Sequence, residues 1–166
     1  LCGCVTGASI EGLRPYLVEV QALVSNATYG TPQRSATGFD QRRMSILLAV
    51  LEKRAGMNLH QKDTFLNAAG GFKIADTGMD LAVAGAIMSS YYDRAPKESI
   101  CCAGEIGLSG EVRPAPRTEQ RIAEAARLGF KRIIISKYVE LGTQRNWNIE
   151  ISEIENISQL PRLLFT

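Results

Sequence analysis

AGEIGLSGEVRPAPRTEQRIAEAARLGFKRIIIS, residues 103–136, carries three structural signals in one run. Gly104 to Val112 (GEIGLSGEV) places glycines where a tight hairpin bends. Arg117 to Leu128 follows, with Ile122, Ala125 and Ala126 on a narrow apolar face at helical spacing, and Gly129 ends the helix. Lys131 to Ser136 then contains Ile133-Ile134-Ile135, a β-branched run suited to a strand covered on both faces. This order of elements predicts an α/β class: a mixed α+β sheet with packed helices.

The flanking sequence extends the pattern. Ile100 to Ala103 reads as a strand. A helix runs from Met79 or Asp80 to Ser90, and its small Ala82, Ala84, Gly85 and Ala86 suit a helix pressed closely against a sheet. Thr64 to Ala69 is a strand followed by Gly70-Gly71. Phe39 to Ala55 is a helix with Asp40 as N-cap and Phe39 and Met44 placed for a hydrophobic staple. Met44, Leu47, Leu48, Leu51 and Ala55 form its apolar stripe, and Gly56 stops it. Ser25 to Gly38 reads as a long loop. Residues 2–9 and Tyr16 to Val24 form a hairpin about a Gly12–Pro15 turn. Beyond the opening stretch, Trp147 to Ile151 reads as a strand and Asn156 to Phe165 as a short helix weakened by Pro161.

A length of 166 residues suits one domain. With 45% apolar and 22% charged residues, the chain has a globular composition and needs no disulfide or metal to hold its core. No run approaches 18 uninterrupted apolar residues, so no membrane helix is expected. The first residues lack the basic-then-apolar pattern of a secretion signal. Leu1 in place of Met leads us to expect a piece of something longer. A net charge of +2 argues against a global polybasic footprint. Cys2, Cys4, Cys101 and Cys102 lack the C-x2-C spacing of strong zinc sites and read as reduced, buried, small apolar residues. Cys2 and Cys4 would share one strand face, whereas Cys101 and Cys102 would point to opposite faces.

Catalytic patterns are sparse. No serine stands in G-x-S-x-G, and the one histidine, His60, lies in a polar connector, which argues against a Ser-His-Asp triad. A Ser-Lys dyad stays open because it needs no histidine. There is no G-x-x-x-x-G-K-[ST] and no G-x-G-x-x-G before a helix, so ATP binding by either route is not expected. Asp76, Asp80 and Glu105 near glycine-rich turns lack EF-hand spacing and read as caps or turn acceptors; no metal site is expected. Arg34, Arg42 and Arg43 sit in or beside the long loop, and Arg14 and Lys73 flank turns that a compact fold could bring near them. A second basic group includes Arg117 and Arg121. Each group reads either as a solvated, salt-bridged face or as a set of phosphate contacts.

Residues 103–136 resemble the C-terminal Lon-protease-like domain of the RadA/Sms family of bacterial DNA-repair proteins. So do EGLRPYLVEVQALVS (11–25), FDQRRMSILLAVLEKRAG (39–56) and AAGGFKIADTGMDLAVAGAIMSS (68–90), in the same order over nearly the whole chain. The resemblance implies a Lon proteolytic-domain-like fold at residues 1–166. It implies a cytoplasmic bacterial ATPase acting in recombinational repair and branch migration. Zinc, ATP and magnesium would belong to N-terminal parts that this segment lacks. It implies DNA, other copies in a ring of about six, and a RecA-type recombinase as partners, and no membrane. Lon-type peptidases set a serine in Pro-Ser-Ala-Gly at a helix start, and the matching position here is Asp80. The dyad lysine position falls on Glu119, with Thr118 and Gln120 beside it. Neither carboxylate can supply the missing chemistry, so no peptidase activity is expected and Asp80 is expected to cap its helix. Arg14, Arg34, Arg42, Arg43 and Lys73 are then the expected DNA-phosphate contacts, with Arg117 and Arg121 secondary. Two alternatives are a peptidase using Ser89 or Ser90 with Lys73, and a ring scaffold that does not touch DNA.

Overall fold

The computed structural model describes residues 1–142 and 146–165. In chain order the elements are β1 (Cys4–Glu11), β2 (Arg14–Asn26), β3 (Arg34–Thr37), α1 (Gln41–Arg54), β4 (Lys62–Ala68), α2 (Asp80–Tyr92), β5 (Ile100–Ala103), β6 (Glu105–Ile106), β7 (Val112–Arg113), α3 (Thr118–Arg127), β8 (Arg132–Ser136), β9 (Glu150–Ile154) and α4 (Leu160–Phe165). Among the described residues, seven strands form one sheet in the order β3-β4-β2-β1-β5-β8-β9. The β1–β2 and β2–β4 pairs are antiparallel and the other four are parallel. β6 and β7 form a separate hairpin.

The mixed α/β expectation therefore holds. β1 and β2 pair from Cys4↔Gln21 to Glu11↔Arg14, and Gly12 takes the positive φ of +61° that closes their turn. The Asp40 side chain accepts from the Arg43 N–H (3.1 Å) at the start of α1. Along β8, Ile134 enters one core while Ile133 and Ile135 enter the other; in β5, Cys102 and Cys101 divide the same way. α1, α2 and α4 pack in the first core and α3 in the second, so the sheet's centre is covered on both faces. The small residues of α2 do what their size suggests. A Cβ on Gly7 of β1 would stand 2.7 Å from the Cβ of Ala82, so this approach requires glycine.

Four expectations change. The predicted loop at Ser25–Gly38 contains β3, which pairs in parallel with β4. Its RSAT sequence has no apolar run to announce it, and it is formed by cross-strand pairing instead. Its outer edge is sealed by Gln41, whose side-chain amide accepts from Ala36 N (3.3 Å) and donates to Arg34 O. The strand expected at Trp147–Ile151 is β9, at Glu150–Ile154; Trp147 precedes it and packs on the second core. The last helix is split into a 3-10 turn at Ile157–Gln159, closed by an Asn156–Gln159 capping box, and then α4, where Pro161 is in the first turn and loses no helical bond. Finally, Cys2 is exposed and Cys4 half-buried: Cys2 lies in the turn before β1 and Cys4 is the strand's first residue.

Candidate functional site

The start of α2 holds two ion pairs within five residues. Asp80 does not cap the helix as expected: Met79 occupies the N-cap position and makes no side-chain bond there. The fully buried Asp80 carboxylate instead accepts from Arg43 Nε (3.1 Å), from Arg43 Nη2 and from the backbone N–H of Ile106 (3.0 Å). Arg43 Nη2 also donates to Ile106 O (2.9 Å). One carboxylate thus ties α1, α2 and the β6–β7 hairpin together. Burial pushes the Asp80 carboxyl up from the ordinary aspartate value, against the pull of Arg43 and the Ile106 N–H.

The second pair is Asp76 with Arg121. The Arg121 side chain is wholly buried. Its guanidinium donates to both Asp76 oxygens (2.5 and 3.0 Å), to Ala8 O (2.8 Å) and, through Nε, to Pro116 O (2.9 Å). Asp76 also accepts from the N–H groups of Gly78 (2.9 Å) and Ile10 (3.2 Å) and from Ser9 Oγ (3.1 Å). Burial raises the Asp76 carboxyl, but the Arg121 hydrogen bonds and charge, aided by Gly78 and Ser9, outweigh it and hold it below the ordinary value. The secondary expectation of Arg121 as a phosphate contact is therefore corrected: it is a core residue. Its place four residues before Ala125, on the apolar face of α3, is the sequence signal that marks it.

Glu119, the residue expected at the second dyad position, accepts from the Gly142 N–H (2.8 Å) and lines a cavity of about 320 Å³ with Arg117 and Val139. Ser89 donates to Arg94 O (2.5 Å) and accepts from Gly3 N (2.7 Å), while Ser90 accepts from Val24 N (2.8 Å). Both serines tie α2 to neighbouring backbone about 14 Å along the helix from Asp80. Lys73 belongs to the exposed segment before the other end of that helix, so the structure does not join either serine to it.

The structure does gather three of the predicted cations. Tyr16 of β2 stacks on Phe72 (5.3 Å between ring centres), and Ile74 N donates to Gly38 O (2.7 Å) beside a Phe39–Ile74 bridge. These contacts place the β1–β2 turn, the 72–76 segment and the start of α1 side by side. They bring exposed Arg14, Lys73 and Arg42 to one end of the molecule. Arg43, expected beside them as a phosphate contact, turns inward to Asp80 because a buried carboxylate needs a compensating charge. Arg34 is half-buried on β3 and donates to Leu59 O (2.9 Å). Arg117 is exposed, with a φ of +56° just before α3. Among the described residues, no group of three or more His, Cys, Asp or Glu side chains is placed to hold a metal ion, and no helix is long and apolar enough to cross a membrane.

A family model described as subunit ChlI of Mg-chelatase matches residues 18–138, a span that includes both ion pairs. The chain belongs to that family. This ChlI-family chain is also 47% identical over 155 residues to a DNA repair protein RadA of Bacillus subtilis, a match covering 93% of the chain and 34% of the relative. A protein of that name from Listeria monocytogenes is 49% identical over 147 residues, covering 89% of the chain and 31% of the relative. Another, from Streptococcus pneumoniae, is 44% identical over 164 residues, covering 96% of the chain and 39% of the relative. The chain spans about a third of the length of these curated relatives.

Proposed function

We propose that this chain is a non-catalytic, Lon-protease-like domain of a RadA-type DNA-repair ATPase, acting as a DNA-contacting and ring-forming platform for branch migration. The observation that carries this reading is the identity of 44–49% to proteins named DNA repair protein RadA over 89–96% of the chain. The partners in this reading are DNA, further copies in a six-membered ring and a RecA-type recombinase, in the bacterial cytoplasm. The chain has no P-loop sequence, and this reading does not assign ATP or zinc to it. Those groups, with magnesium, belong in this reading to other parts of the whole protein.

The chemistry at Asp80 supports a non-catalytic role. A peptidase serine must be free to attack a carbonyl and needs a neighbouring base. Here the equivalent position is a carboxylate already occupied by a guanidinium and a backbone N–H. The end of the molecule that carries Arg14, Arg42 and Lys73 supports phosphate contact. Three exposed cations from three different elements can follow a backbone without reading sequence.

The test is a fluorescence-anisotropy titration with single- and double-stranded oligonucleotides at two salt concentrations. We expect salt-sensitive binding. Replacing Arg14, Arg42 and Lys73 together with Ala should lower the salt slope on duplex by about 3, at roughly 0.9 per contact. Absence of binding at low salt would leave a ring scaffold without DNA contact. Labelling by a serine-reactive phosphonate would restore the peptidase reading.

A further inference from the structure

Phe72 follows Gly70 and Gly71 in the segment between β4 and α2, and 44% of its surface is exposed. The ring is nonetheless held in place. One face stacks on Tyr16 of β2, 22° from parallel. Tyr16 is the inner member of the pair, packed against the first core. The backbone beside the ring is fastened to the entry of α1: Ile74 N donates to Gly38 O (2.7 Å), and a Cβ on Gly38 would stand 2.4 Å from Phe72 O. A Cβ on Gly70 would stand 3.2 and 3.3 Å from Cε2 and Cδ2 of the ring, so glycine there leaves no side chain over it. The result is a braced aromatic surface open to solvent.

Its surroundings are cationic. Lys73 is the next residue in the chain. Arg14 lies two residues before Tyr16 on β2, so the two side chains leave the same face of that strand. Arg42, in the first turn of α1, is brought to the same end by the Phe39–Ile74 bridge. All three cations are exposed, and among the described residues none of them has an ion-pair partner. The carboxylates nearby do not cancel them. Asp76 is held by Arg121, and Asp40 accepts the Arg43 N–H. Glu11 stands opposite Arg14 in the β1–β2 register, one anion among three cations.

An open aromatic ring beside unpaired cations is the combination with which proteins hold single-stranded nucleic acid: the ring takes a base and the cations take the adjoining phosphates. A base in a duplex is already stacked on its neighbours, so such a ring addresses unpaired ones. We infer that the exposed surface of Phe72 is a stacking platform for one unpaired base of single-stranded DNA, with Arg14 and Lys73 at the flanking phosphates. The inference rests on the DNA-contacting reading above and adds to its phosphate contacts a group that responds to the base itself.

The test compares a fluorescein-labelled dT12 with an abasic 12-mer of equal phosphate count, titrated against this chain and its Phe72→Leu and Phe72→Tyr variants at two salt concentrations. One stacked base should make dT12 bind roughly 5- to 150-fold more tightly than the abasic strand, equivalent to about 1–3 kcal/mol. Phe72→Leu keeps an apolar contact for Tyr16 but has no ring, so it should erase most of that preference and leave abasic binding unchanged. Phe72→Tyr should keep the preference. A thermal melt verifies that both variants fold, and the comparison of strands on the parent chain depends on neither. Equal, salt-sensitive binding of both strands by the parent chain would overturn the stacking platform and leave the DNA reading standing. A preference that survives Phe72→Leu undiminished would also overturn it. Absence of binding to either strand would overturn both.

Discussion

Replacing Arg121 with Met removes a buried charge while keeping much of its length. Four hydrogen bonds vanish: two to Asp76, one to Ala8 O and one to Pro116 O. Breaking a buried ion pair from one side costs about 3–5 kcal/mol. Asp76 keeps its bonds from Gly78, Ile10 and Ser9, and its side chain retains 12% exposure, which favours the low end, about 3 kcal/mol. That is a large share of a typical stability of about 5–15 kcal/mol. At an m-value of about 2 kcal/mol/M it lowers the urea midpoint by roughly 1.5 M. Unfolding is followed by far-UV circular dichroism and by the fluorescence of Trp147, the one tryptophan, which packs on the core that α3 enters. Asp76→Asn added to Arg121→Met should recover about 1–3 kcal/mol relative to the sum of the single changes, because the orphaned charge disappears. The pH dependence supplies the sign. Asp76 titrates below its ordinary value when folded, so its contribution is present above the ordinary value of about 3.9 and disappears as pH falls through it toward the folded value. Asp76→Asn should flatten that acid limb. A loss below about 1 kcal/mol for Arg121→Met, or additive single changes, would refute the reasoning.

Gly78→Ala should destabilise by about 2 kcal/mol in the same urea assay, because its Cβ would meet the Arg121 guanidinium at 2.5–2.8 Å and that group has no room to retreat. Gln41→Ala should uncover the edge of β3 and raise self-association at high concentration, measured by sedimentation velocity; unchanged sedimentation would show that Gln41 is not the guard of that edge. In a native thiol titration with Ellman's reagent, exposed Cys2 should react first and half-buried Cys4, its thiol raised by burial and Glu19, more slowly. Cys101, pushed up to about 12 by burial, and Cys102, raised well above the ordinary thiol value, should react only on unfolding.

Much of the architecture was legible because its signals are local. The Asp40 cap acts three residues away, Gly56 and Gly129 end their helices at positive φ, and the Ile133–Ile135 run marks a strand buried on both faces. The candidate site was legible only in its residue types. Asp80 was singled out as the occupant of the nucleophile position, yet its partner lies 37 residues away in Arg43, a residue whose sequence context reads as a free surface cation. Nothing near Ser35 or Ala36 marks β3 as a strand, since the strand exists through its register with β4 some 30 residues on.

The sequence by itself determined where the main helices start and stop and which strands are apolar on both faces. Those properties depend on residues within a turn or two of one another. Only the tertiary structure decided which cations face water. Arg42 and Arg43 are neighbours on α1, but one is exposed and the other is drawn inward, because burying the Asp80 carboxylate without a countercharge would cost several kcal/mol, more than a surface cation gains from solvent. Arg121 went the same way for Asp76, across 45 residues of chain.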